Sequence, residues 1–83
     1  MIKKLYVIYD LVSKSVFSPV MSADSDELMI REIRTAKLGE IIESNLEDFD
    51  LICVGSIDTT AHKIVDDTTT LVCHLEGIKT YGR

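Results

Sequence analysis

Residues 51 to 57, Leu51-Ile52-Cys53-Val54-Gly55-Ser56-Ile57, restrict this chain more than any other stretch. The run is almost continuously apolar, and its side chains suit the pleated, buried surface of a strand. A strand of this kind belongs in the middle of a sheet rather than at its border. The acidic approach Leu46-Glu47-Asp48-Phe49-Asp50 reads as a connection, and Asp58-Thr59-Thr60-Ala61 as a turn. The remaining elements must be arranged around this strand.

Leu5 to Leu11 is rich in β-branched and aromatic residues and reads as a second strand. Leu5, Val7 and Tyr9 point one way and Tyr6 and Ile8 the other, so both faces need cover. Val12-Ser13-Lys14-Ser15 is a turn, and Val16 to Met21 returns as a hairpin strand. Pro19 has no N–H to give, which places that strand at an edge or ends it there. Ser22 to Glu27 is a helix start, with Asp24 and Glu27 at capping-box spacing and Asp26 and Glu27 where the helix dipole favours negative charge. The helix is expected over residues 26–37. Its buried stripe is Met29, Ile30, Ile33 and Ala36, with Arg31, Glu32, Arg34 and Thr35 outside, and Gly39 is its stop.

Ile41 and Ile42 suggest one further helical turn, and His62 to Val65 a short strand. Asp66-Asp67-Thr68-Thr69-Thr70 breaks the pattern and has the composition to cap a short helix. Leu71 to Leu75 fits a strand and a helical turn equally well, and Gly77 and Gly82 mark a loose tail. No internal repeat is visible. Residues 1–83 are expected to form a single domain.

The formal charge of −5, from 14 acidic and 9 basic residues, argues against coating a DNA duplex, which needs clustered Lys and Arg. Lys3 with Lys4, and Arg31, Arg34 and Lys37 on the helix, are the only cationic clusters. They are the candidates for phosphate contact, with Tyr6 and Tyr9 as candidates for stacking on single-stranded bases. Against this stand a solvated helix face and tyrosines buried in a core or dimer interface. Lys3-Lys4 followed by Leu5 to Tyr9 is too short for a signal segment, and no run reaches membrane-spanning length. A cytoplasmic location with reduced thiols and no membrane contact is expected.

Cys53 and Cys73 lack metal-ligand spacing and sit in apolar runs, which favours small core residues. The four glycines have neither dinucleotide nor P-loop spacing. His62 and His74 have no recognisable nucleophile or ligand partner, and Glu47, Asp48 and Asp50, like Asp66 and Asp67, lack calcium-loop spacing. No catalytic residue, cofactor or metal site is expected. A small enzyme or metal protein using His62, His74 and the cysteines is the weakest alternative.

Five blocks recur in an order that resembles a known family. They are Leu5-Tyr6 with Tyr9-Asp10, Val16-Phe17-Ser18-Pro19, Ser25-Asp26 with Arg31, Glu47-Asp48-Phe49-Asp50-Leu51, and Val54-Gly55-Ser56-Ile57-Asp58. The pattern is similar to the small nonstructural protein of gokushoviruses, tailless single-stranded DNA phages of the microvirus group. The chain departs from it with Leu46 where Pro often stands, Ile57 and Ile33 where Phe is common, and Thr59 to His62 in place of a Gly-containing turn.

The resemblance implies a non-enzymatic accessory protein in the host cytoplasm. It would act at the switch to single-stranded DNA synthesis or in genome packaging, by binding DNA or the replication and procapsid proteins. An acidic adaptor or inhibitor of a host factor is the alternative. The fold expected is α+β: a small antiparallel sheet of about four strands in β-β-α-β-β order with one main helix on one face. A homodimer or higher homo-oligomer is expected, on the argument that Tyr6 and Ile8 lie opposite the helix and need cover.

Overall fold

The computed structural model describes residues 1–79 and shows an α+β fold with one antiparallel sheet. Two long strands form its centre: β1 (Ile2–Asp10) and β4 (Phe49–Asp58), paired antiparallel from Ile2 opposite Asp58 to Asp10 opposite Phe49. β2 (Ser15–Val16) and β3 (Met21–Ala23) both pair with the outer side of β1. β5 (Lys63–Asp66) and β6 (Thr70–His74) both pair with the outer side of β4. The sheet therefore has six strands in the order β2-β1-β4-β5, with β3 beside β1 and β6 beside β4, rather than about four. Each edge position is split in two. Pro19 has no N–H to give to a ladder, and beside it the Ser18 hydroxyl accepts the Ile8 N–H at 2.9 Å. At the other edge, Asp67 to Thr69 leave the ladder, with the Asp66 carboxylate accepting the Thr68 N–H.

The two halves of the chain are built alike, although no repeat is legible in the sequence. Each has a long strand, a turn opening on Asp, an edge strand in two pieces and then a helix. In the turns, Lys14 N–H bonds Asp10 O at 2.8 Å and His62 N–H bonds Asp58 O at 2.8 Å, with Lys14 and His62 both at positive φ. The Asp10 carboxylate accepts from Val12 N and the Asp58 carboxylate from Thr60 N, each at 2.9 Å. The shared signal is one Asp and an alternation of apolar residues, too little to register as a repeat.

The helices are α1 (Asp26–Thr35), α2 (Glu40–Glu43) and α3 (Glu76–Lys79), with a 3-10 turn at Leu46–Asp48. Ser25, not Asp24, caps α1, its hydroxyl accepting from Leu28 N at 3.3 Å. The helix ends at Thr35, two residues earlier than expected, with Ala36 as its cap, and Gly39 at φ +96 opens α2 instead of closing α1. The segment 66–70 forms no helix. Residues 70–74 are strand, and Gly77 lies within α3 rather than in a loose tail. Gly82 lies outside the described residues.

Tyr6 and Ile8 face the helices, which corrects the orientation expected for β1. They join Met29 and Ile33 of α1, Ile42 of α2, Phe49, Leu51 and Cys53 of β4, and Leu75 and Ile78 in one core. Phe17 closes its end, edge-on to Phe49 with ring centroids 5.2 Å apart. Alternation then places Leu5, Val7 and Tyr9 on the far face of the sheet. Val7 pairs with Ile52, Tyr9 with Asp50 and Val16, Ile52 with Leu71, and Ile57 with Ile64, so these residues share that face. Among the described residues no helix covers it.

Candidate functional site

One cluster joins the central strand to the main helix. Tyr6 is completely buried, yet its hydroxyl donates to Asp26 Oδ1 at 2.6 Å, at the first position of α1. Lys4, on the same face of β1, reaches the same oxygen at 2.8 Å. Lys4 and Tyr6 together hold the Asp26 carboxyl below the usual range, the lysine contact being the larger cause. The bond to Asp26 raises Lys4 in return. Burial, then the Asp26 carboxylate, pushes the Tyr6 phenol well above its ordinary value. These groups stabilise one another's resting protonation states. They are a tie between sheet and helix, and none is poised to exchange a proton near neutral pH.

Several other residues of the recurring blocks are also engaged in structure. Asp10 and Asp58 shape the two turns, and Phe17 and Ser18 close the edge of β1. Asp58 is held below the ordinary carboxyl range by the N–H groups of Ala61 and Thr60. Gly55 has φ +144, and a Cβ there would stand 2.2 Å from the carbonyl oxygen of Asp66. Only glycine fits where β5 crosses the bulge at Val54. The blocks encode how this sheet is built.

The candidate nucleic-acid residues do not converge. Lys3 is paired with Asp24 at 2.9 Å and Lys4 with Asp26. Arg31 and Arg34 lie on the outer side of α1 beside Glu27 and Ile30, and Arg34 Nε also donates to Ile78 O at 3.4 Å. Lys37 is exposed beyond the helix end. Tyr6 has no exposed ring face for a base to stack on. Tyr9 is half-exposed, on the sheet face opposite α1 and its arginines.

The imidazoles and thiols are likewise apart. His62 is an exposed turn residue, and His74 Nδ1 bonds Asp50 Oδ1 at 2.5 Å across β4 and β6. Cys53 is buried in the core, and Cys73 is half-buried with its thiol pushed up, first by burial and then by Asp50. Among the described residues no group of three His, Cys, Asp or Glu side chains could hold a metal ion. No described helix is long and apolar enough to cross a membrane.

What sequence reasoning missed is which face of the sheet stays open. Val16, Ile64 and Leu71 are each about half exposed on it, and Leu5, Tyr9, Ile52 and Ile57 are partly so. The alternation in β1 and β4 signalled two apolar faces, but not which of them the helix would take. A second apolar area lies at one end, where Val12 and Ile41 border a shallow hollow with Asp10, Asn45, Asp48 and Phe49.

These features define a small α+β protein whose bonded polar residues hold its sheet to its helices and whose sheet face opposite the helices is apolar and uncovered among the described residues. The chain belongs to the phage ORF5 protein family, whose model matches residues 3–78. It is thus a phage protein. No curated protein and no solved structure matches it.

Proposed function

We propose that this is a non-enzymatic, nonstructural accessory protein of a single-stranded DNA phage of the gokushovirus type. It works in the host cytoplasm at the switch to single-stranded DNA synthesis or at genome packaging. It acts chiefly through protein contacts, with replication or procapsid proteins as its partners. Membership of a phage family and the ordered blocks from Leu5 to Asp58 support the setting. The observation that carries the mode of action is the distribution of surface chemistry. A broad apolar sheet face is open, while Lys3 and Lys4 are held by carboxylates on a chain of net charge −5. Apolar surface of that extent suits protein association, and paired cations offer little to phosphates.

Direct binding of single-stranded DNA is the second reading, favoured by exposed Arg31 and Lys37 and half-exposed Tyr9. Fluorescence anisotropy with a labelled single-stranded oligonucleotide at two salt concentrations separates the two. The protein-contact reading expects affinity no tighter than about 100 μM, and capture of purified gokushovirus replication or procapsid protein. Micromolar affinity that falls steeply with salt, together with no capture, would replace it with the DNA reading.

A further inference from the structure

We infer that the open sheet face is the interface of a homodimer, with a second copy of this chain as its occupant. The inference deepens the proposed function, resting on the part of it that assigns this face to protein contact. The face runs across four strand positions, from Val16 on β2 through Val7 and Ile52 at the centre to Leu71 and Ile64 at the far edge. Val7 is already enclosed by its neighbours at 4% exposure, whereas Leu71 and Ile64 are 51% and 53% exposed. No helix covers this face among the described residues.

Area, polarity and edge structure together select the occupant. β1 has nine residues and β4 ten, and the split edges carry two and three on one side and four and five on the other, which gives a face of roughly 540 Å² at ordinary strand rise and spacing. Two such faces cover about 1,100 Å² in total, just above the roughly 1,000 Å² that a specific interface must clear. The polar groups lie toward the ends of the face and have partners: Lys3 is held by Asp24, and Asp50 is bonded to His74. The middle is free of charge and can be sealed without stranding one. Both borders of the sheet are broken, at Pro19 and at Asp67 to Thr69, which discourages growth by strand addition and leaves face-to-face packing. Each half of the chain contributes one long central strand and one split edge, so the face has a similar build viewed from either end, a property that suits a two-fold contact. A nucleic acid would find one ring, Tyr9, and a lysine already paired.

Light scattering on the full chain from about 1 to about 200 μM reads the assembly directly. A dimer with a micromolar or tighter dissociation constant is expected, and its melting temperature should rise with chain concentration. Leu71→Glu and Ile64→Glu, at sites exposed enough to be tolerated in the monomer, should each weaken association about tenfold or more. Ile41→Glu, which is off this face, should leave it unchanged. Circular dichroism checks folding, and Leu71→Ser replaces any Glu variant that does not fold. A monomer at the highest concentration overturns the inference, as does a dimer that both face variants leave intact. If the monomer still captures procapsid or replication protein, the proposed function survives; if it binds only the oligonucleotide, both fail.

Discussion

Tyr6→Phe tests whether the tie between β1 and α1 holds the fold together. The ring is completely buried, so phenylalanine keeps its apolar contacts and only the hydroxyl is lost. That hydroxyl makes a 2.6 Å bond to a carboxylate, a class of bond that contributes about 1.5–3 kcal/mol. Asp26 is partly exposed and keeps Lys4 at 2.8 Å, so water can replace part of the loss. The cost should therefore fall near about 1.5 kcal/mol. In a domain of this size that lowers the melting temperature by roughly 6–12 °C, read at fixed chain concentration.

The pH dependence adds a second signature. The Asp26 carboxyl is depressed in the folded state, so its contribution is present above the unfolded value and lost as pH falls through the folded one. In acid the variant and the parent should therefore converge. The phenol of Tyr6 is raised, so its contribution is full below the unfolded value of about 10 and lost as pH rises toward the folded one. The parent should lose stability in alkali by a step that Tyr6→Phe lacks. A melting temperature within about 2 °C of the parent at pH 7, or an alkaline loss of stability that the variant shares in full, would refute the assignment.

Two further outcomes follow from local geometry. Gly55→Ala places a Cβ 2.2 Å from Asp66 O at φ +144, where neither backbone can yield without breaking the β4–β5 pairing. It should cost about 3 kcal/mol or more, and a urea midpoint equal to the parent's would show that the crossing is not tight. Asp58 and Asp66 are also held below the ordinary carboxyl range, in their case mainly by backbone N–H groups. Their contribution is present above the unfolded value and fades as pH drops below about 4, so urea midpoints should be flat near neutrality and fall in acid. A midpoint unchanged down to pH 2.5 would contradict those turn bonds.

Much of this fold is legible in the residues because its strongest signals are local. The apolar runs of β1 and β4, the Asp-led turns and the polar start of α1 each announce themselves within ten residues. The six-stranded count is not legible, because it depends on where edge strands leave the ladder, and Leu71 to Leu75 carries equal strand and helix signals. The orientation of β1 is hidden for a different reason. Both of its faces are apolar, and the polar mark of the side that α1 takes is a tertiary one: Asp26, twenty residues away, accepts the Tyr6 hydroxyl. The candidate phosphate contacts were legible only as positive residues. Pairing with Asp24 and Asp26 is a tertiary fact, set by the register of β3 on β1.

The residues of the recurring blocks divide between two roles, with Leu5, Tyr9, Val16 and Ile57 on the open face and others bound into the framework. Tyr6, Ser18, Ser25, Asp26, Gly55 and Asp58 are committed to bonds or close approaches that the backbone requires. A chain can preserve all of them and still change Leu71, Ile64 or Val16 without disturbing the core. Those outer positions are about half exposed, and covering them requires association with another molecule. Replacing the Tyr6 hydroxyl should thus alter stability at fixed assembly, whereas Leu71→Glu should alter assembly at fixed fold. Observing both effects in either variant alone would show that the tie and the open face are coupled through β1.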